Sequence, residues 1–302
     1  MTPGDTAAPV GSRRYVTYTP STVELVDRIY RRCIKPGLPY YDAMDLIQQH
    51  LVPRTYVEIG VATGRTLTLA LPGTVCVGID PAPRLERPLR HGQQVFAQTS
   101  DDFFAANDLG SVLGGAPLDL AFIDGMHHFE FALRDFINLE RASHPETTVL
   151  IHDCLPESEE GAARERTTVL WSGDVWRLIV ALRDWRPDLE VAVVDWAPTG
   201  LGVVRGLDHR SAVLADHYDE IVEYYLAMPY RALDDGTMAE QLHQVPGTWD
   251  ALRGLLPAYP YRSGSVELLK ARRAAHEVLP AARRAVEYRW NARRRPTGSP
   301  VA

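Results

Sequence analysis

The sequence predicts an α/β protein built on an open sheet of seven strands, the last antiparallel, with helices on both faces. Three observations predict it. From Thr55 to Arg205, short apolar runs alternate with amphipathic stretches, as strands joined by crossover helices do. The first run, Tyr56-Val-Glu-Ile-Gly-Val-Ala-Thr-Gly64, ends in a glycine turn, where an open sheet receives ligands. Two later runs end in acid–histidine groups, Asp124-Gly-Met-His127-His128 and His152-Asp153.

Taken in order, residues 1–18 are rich in Pro, Gly, Thr and Ala and read as a loose arm. Ser21-Thr-Val-Glu24 matches a capping box opening a helix with Val23, Val26, Ile29 and Tyr30 on one face. A second helix near Tyr41 to Leu51 completes an N-terminal helical region, 19–54, which suits a lid or plain packing. Strands are expected at 55–60, 75–80, 93–97, 118–123, 147–152, 189–195 and 200–205. Only Trp196-Ala-Pro-Thr-Gly separates the last two, a hairpin-sized connection that makes the final strand antiparallel. Between the fourth and fifth strands, Phe129, Leu133, Phe136 and Ile137 share one helical face. The core domain therefore spans 55–206. Residues 207–302 read as a helical extension, with helices near 209–227 and 264–294 and a Pro/Tyr-rich stretch at 256–261.

Of the 302 residues, 45% are hydrophobic and 24% charged, the composition of a soluble globular chain. No apolar run reaches transmembrane length, and the first residues lack signal-peptide character. Cys33, Cys76 and Cys154 have no metal-ligand spacing and suit a reducing cytoplasm. Lys270 to Arg295 holds nine basic and two acidic residues, a net +7 against −7 for the whole chain, so the rest carries −14. An acidic body argues against nucleic acid as substrate. The basic tail suits a solvated helix, an anionic acceptor, a membrane surface or a partner subunit, and the terminal helices suit a homo-oligomer.

The first turn reads Glu58-x-Gly60-x-Ala62-x-Gly64, and Asp80 closes the second strand 22 residues after Glu58. Gly60 and Gly64 allow close backbone approach to a ligand, and an acid at position 80 can take both hydroxyls of a ribose. A dinucleotide fingerprint needs three glycines and a site hospitable to pyrophosphate. An acid in the turn disfavours that anion and favours the sulfonium and amino group of S-adenosylmethionine (SAM). NAD is the lesser reading.

Neighbouring strands lie ~5 Å apart, so Asp124 and Asp153 are expected close enough to share a divalent cation. Without one, two such carboxylates repel. His127 precedes the periodic helix and is expected at the pocket mouth with His128, whereas His152 is either a site residue or a histidine satisfied against the sheet. Ser100 and Asp101 follow the third strand as adenine contacts or as an N-cap. Beyond the fifth strand, Trp171, Trp176 and Arg177 form either an acceptor wall with an anion partner or ordinary packing, with Asp174 capping the next helix.

Together these residues resemble class I SAM-dependent methyltransferases with a Rossmann-like sheet, of the methyltransferase-24 type, akin to metal-assisted sugar and macrolide O-methyltransferases. The motifs carrying the resemblance are Glu58-Ile-Gly60-Val-Ala62-Thr-Gly64, Asp80, Ser100-Asp101-Asp102, Asp124-Gly-Met-His127-His128 and His152-Asp153. The resemblance covers about 55–205. It implies SAM held by Glu58, Gly60, Ala62, Gly64, Asp80, Ser100, Asp101 and Asp124, with Mg2+ on Asp124 and Asp153. It also implies His127 as base, and a small-molecule sugar or phenolic hydroxyl as acceptor, in antibiotic or glycan biosynthesis. A metal-independent N- or C-methyltransferase is the alternative. One position departs: such sites carry an acid or Asn after the strand-5 acid, and here it is Cys154, a poor ligand for Mg2+.

Overall fold

Strand β1 (Thr55–Ile59) is buried at all five positions, and β4 (Leu118–Ile123) at all six. Such continuous burial marks central strands of a sheet covered on both faces. The computed structural model describes residues 40–168, 170–230 and 237–275. Around the central pair lie β2 (Val75–Ile79), β3 (Gln93–Phe96), β5 (Ser143–His152), β6 (Glu190–Val194), β7 (Leu201–Arg205) and β8 (Gln244–Val245), in the order β3-β2-β1-β4-β5-β7-β6-β8. Only β7 runs against the rest, inserted between β5 and β6 and antiparallel to both. All seven expected strands form.

The period of two along each strand sorts side chains onto two cores. Leu120 and Phe122 of β4 join Tyr56, Leu150 and Val203 in one cluster, while Ala121 and Ile123 join Val57, Val149 and Ile151 in the other. Helix α1 (Tyr40–Leu51) covers the first face with Ala43, Met44, Ile47 and Leu51. The opposite face takes α4 (Phe129–Arg141) through Phe129, Leu133, Phe136 and Ile137, the four residues its periodicity selects, beside α5 (Trp176–Trp185). Each fully buried side chain of this kind stabilises by roughly 1.5–3 kcal/mol. Short helices α2 (Ser100–Ala106) and α3 (Leu109–Val112) connect β3 to β4.

Beyond β7 the chain departs from the expected helical extension. Residues 209–227 form α6 (Val213–Asp216) and α7 (Tyr218–Leu226), with a break at His217. After α8 (Thr237–Leu242), Gln244–Val245 adds an eighth strand parallel to β6; two residues are too few to show a periodicity. Helix α9 (Trp249–Leu255) follows. The Pro/Tyr-rich stretch then returns to the amino end of the sheet, where Tyr261 N donates to Leu51 O at 2.7 Å and Tyr261 Oη meets Thr148 at 3.2 Å. Residues 266–275 are helical. The remainder of the expected 264–294 helix, most of the basic segment, the N-terminal arm and the capping-box helix at Ser21 lie outside the described residues. No helix among the described residues is long and apolar enough to cross a membrane.

One contact fixes the centre of the sheet. Gly60 leaves β1 at φ 90°, and a Cβ there would lie 2.0 Å from the Asp124 carbonyl oxygen at the end of β4. Replacing it combines a left-handed strain of about 1–3 kcal/mol with a backbone clash. Gly60→Ala is therefore expected to lose about 3 kcal/mol or more of stability by urea unfolding, and a loss below about 1 kcal/mol would show that the β1 and β4 ends separate freely.

Candidate active site

At the end of β1 the backbone turns through left-handed conformations at Gly60, Ala62 and Gly64 (φ 90°, 46° and 75°). Asp80 sits under the turn, its two oxygens accepting from Ala62 N and Ala82 N at 2.7 Å each. A carboxylate oxygen has two lone pairs, so both oxygens retain capacity for ligand hydroxyls. Beside the turn opens a cleft of about 620 Å3, bordered by Tyr41, Thr63, Gly64, Arg65 and, from residues 266–275, Lys270 and Arg273.

Glu58 is placed differently from the expectation of a free acceptor. It is fully buried, accepting from Tyr56 Oη at 2.8 Å and Thr66 Oγ1 at 2.5 Å. Burial pushes its carboxyl up to about 8, against the lowering effect of the two hydroxyls. Without a cationic ligand it is therefore mostly protonated at neutral pH. Tyr56, two residues earlier on the same strand face, is legible from the period of two; Thr66 is not.

The ends of β4 and β5 bring Asp124, His127, His152 and Asp153 together. His152 Nδ1 lies 3.3 Å from Asp124 Oδ1 and 3.2 Å from Asp153 Oδ1. His127 Nδ1 contacts Asp153 Oδ2, and its Nε2 lies 3.6 Å from Asp124 Oδ1. Thr199 Oγ1 also donates to Asp153. Burial disfavours charge on Asp153, but His152 and His127 beside it hold the carboxyl well below the usual range. Burial likewise lowers both imidazoles, and the carboxylates reverse that, Asp153 first: His127 is raised and His152 well raised. His127 and Asp153 both have positive φ (58° and 63°), so the backbone is bent to bring them in.

The loop after β5 holds His127 in place. Trp171 stacks on its ring (centroids 5.1 Å apart, planes 20° apart) and donates from Nε1 to Ala163 O at 2.6 Å. A Cβ on Gly173 would lie 1.9 Å from the His127 carbonyl oxygen. Asp174 accepts from Phe129 N at 2.7 Å, so it caps α4, not the following helix as expected, and it also pairs with Arg164 at 2.7 Å. His127 remains about a quarter exposed.

Other expected site residues are committed elsewhere. Arg177, expected to meet an anionic acceptor, donates to Tyr225 O and Met228 O (2.7 and 2.8 Å) behind α7, with Asp174 at 3.3 Å. Asp101, expected at adenine, is held bidentate by Arg134 at 2.8 and 2.7 Å. The cap of α2 is Thr99, which accepts from Asp102 N, in place of Ser100 or Asp101. Ser100 bonds Asp135. His128 precedes α4 with Nε2 3.0 Å from Arg164 O, and Trp176 is buried in the core. Sequence reading missed Tyr40, whose ring lies 4.6 Å from that of His152, along with Asp135 and Thr199.

The donor set fits a divalent cation. Asp124, His152 and Asp153 each present a ligand atom, all within 4.8 Å of one another. His152 Nε2 is buried without a hydrogen bond, a costly state unless a further partner meets it, and Nδ1 of the same ring has only the two carboxylate approaches given above. Cys154 stays out of this set: its thiol faces Ile151 O at 3.3 Å, and burial pushes its pKa up.

Residues 57–154 match the methyltransferase-24 family, described as a methyltransferase domain. No curated protein matches the chain significantly. Among solved structures it is similar to a cofactor-bound protein from MTB (15% identity, 62% of this chain and 88% of that one, TM-score 0.44). It is also similar to an O-methyltransferase from Streptomyces achromogenes involved in tomaymycin synthesis, in complex with SAM (16%, 61% and 86%, TM-score 0.42). A third is an O-methyltransferase from Bacillus cereus in complex with SAH (14%, 63% and 93%, TM-score 0.41). The methyltransferase resemblance read from the motifs is thus matched over residues 57–154.

Asp135 supplies a test of the site's electrostatics. It is buried on α4, and desolvation raises its carboxyl to about 7 from 3.8, against the lowering bond from Ser100. The folded state then binds more protons than the unfolded state between about pH 4 and 7, so stability falls as pH rises through that window. From about pH 4.5 to about 7.5, Asp135→Asn is expected to lose less unfolding free energy than the unmutated chain, by an amount on the order of a few kcal/mol. Parallel pH–stability curves for the two proteins would refute the raised carboxyl.

Proposed function

We propose that this chain transfers the methyl group of SAM to a hydroxyl of a small molecule, with His127 as base and a divalent cation on Asp124 and Asp153. The observation that carries the proposal is the placement of His127 beside two carboxylates, one β-strand from the glycine turn. When bound, SAM supplies a methyl group already activated by its sulfonium. When bound, the cation lowers the pKa of an acceptor hydroxyl.

The chain's own residues do the rest. Gly60 and Gly64 let the backbone pass close to the nucleoside, and Asp80 receives the ribose hydroxyls on its free lone pairs. Glu58 lies beneath the turn, where a nearby cationic group draws off its proton and gains a counter-charge. Holding acceptor oxygen and methyl in line near ~3 Å contributes on the order of 7–11 kcal/mol, and the rigid ends of β1 and β4 set that separation. His127 takes the acceptor proton, its basicity strengthened by Asp153, while Trp171 stacks on the ring and holds it in place.

The reading extends to sugar or phenolic acceptors of natural-product biosynthesis. Chelation separates it from a metal-independent N- or C-methyl transfer, in which two histidinium rings alone balance Asp124 and Asp153. For His127→Ala we expect kcat to fall by ~10² or more, with the S-adenosylhomocysteine-induced rise in Tm unchanged. Normal turnover by that variant would sink the base assignment. A Tm raised by NAD and not by S-adenosylhomocysteine would sink the cofactor assignment.

A further inference from the structure

We infer that the ion of this site is a borderline transition cation, of the Fe2+, Co2+, Ni2+ or Zn2+ kind, and that His152 is its third protein ligand in place of residue 154. The inference rests on the methyl-transfer reading and changes its metal from Mg2+ to an ion that takes nitrogen.

Geometry carries the argument. His152 Nδ1 faces Asp124 Oδ1 and Asp153 Oδ1 at 3.3 and 3.2 Å, yet makes a well-directed hydrogen bond to neither. Donors bound side by side at ~2.1 Å around one ion lie ~3 Å apart. His152 Nδ1 therefore already holds the spacing of a neighbouring ligand to each carboxylate oxygen, and the ligand atoms of the three residues lie within 4.8 Å of one another. His152 is nine-tenths buried and Phe122 packs against its ring edge-on, as Tyr40 does at a tilt. No water-exposed escape is open to that nitrogen.

Chemistry narrows the ion. Mg2+ takes oxygen ligands and keeps several of its waters. The space enclosed by Asp124, Gly125, His127, Asp135, His152 and Asp153 is about 10 Å3, room for one bare ion or one water. Imidazole suits Fe, Ni and Zn, whereas a site for Mg2+ is built of carboxylates, carbonyls and water. The only side chain that could have added a third ligand at position 154 is a thiol turned onto the Ile151 carbonyl. What the strand withholds at 154 it offers at 152, because Asp153, in its left-handed conformation, lies between them.

The test uses the full chain, stripped with chelator, without SAM or acceptor. Calorimetric titration with CoCl2 and MgCl2 is expected to give one site binding Co2+ about tenfold or more tightly than Mg2+. The visible bands of the bound Co2+ should carry the signature of a nitrogen ligand. In His152→Asp the preference is expected to narrow by about tenfold or more, with Mg2+ gaining on Co2+. In His127→Ala it should stay as it was. Equal or tighter Mg2+ binding, no ion binding, or a preference that survives His152→Asp but is lost in His127→Ala would each overturn the inference. If His152→Asp fails to fold, His152→Asn and the Co2+ spectrum of the unmutated chain decide. S-adenosylhomocysteine binding, followed by Tm in the same samples, keeps the two readings apart. A Tm shift without ion selectivity removes this inference alone, and no shift removes the methyl-transfer reading beneath it.

Discussion

Placing several carboxyl groups in a small, poorly hydrated volume is expensive. Two unit charges 4 Å apart interact by about 4 kcal/mol at an effective dielectric of 20. Glu58, Asp124, Asp135 and Asp153 nonetheless gather around the carboxyl ends of β1, β4 and β5, and the structure meets the repulsion in two ways. Glu58 and Asp135 are partnered by hydroxyls alone, from Tyr56, Thr66 and Ser100, and burial keeps their protons on near neutrality. Asp153 is partnered by two imidazoles and ionises. Neutral acids thus stand under the glycine turn (Glu58) and beside the histidine cluster (Asp135), while charge concentrates on Asp153 and its two imidazoles.

That arrangement needs a backbone willing to adopt unusual conformations. Ala62, His127 and Asp153 sit at positive φ without being glycine, a strain of about 1–3 kcal/mol each. Packing holds them there. Trp171 and Gly173 press on His127, and Asp174 ties the start of α4 to the same loop. The His127 ring is consequently positioned by a segment some 45 residues further along the chain, as the Phe129–Asp174 bond shows.

What could be read from sequence follows the same division. The seven longer strands and the buried face of α4 were legible because periodicity reports burial directly, and Gly60, Asp80, Asp124, His127 and Asp153 because their spacing fixes them to strand ends. Partners supplied from afar were not: Thr66 under Glu58, Arg134 on Asp101, the Tyr225 and Met228 carbonyls on Arg177, and Ser100 on Asp135 are choices of tertiary contact. Sequence gave His152 two readings, satisfied or functional, and only the direction of its ring nitrogens separates them. The two-residue strand β8 is too short to have a period.

The glycine turn and the carboxylate–histidine cluster are joined through one backbone seam. Asp124 N donates to Ile59 O at 2.8 Å, and Gly60 packs where any Cβ would meet the Asp124 carbonyl. The distance from the glycine turn to the carboxylate cluster is therefore a property of strand pairing. Side chains on the surrounding helices and loops can change without moving the two centres relative to each other. Fold does not fix function, but here it fixes the separation between the glycine turn and the carboxylate cluster. The freedom left to the chain is in the walls, Tyr40 and Trp171 against the histidines and Tyr41 with residues 266–275 around the cleft, which can change while the strand ends stay in place.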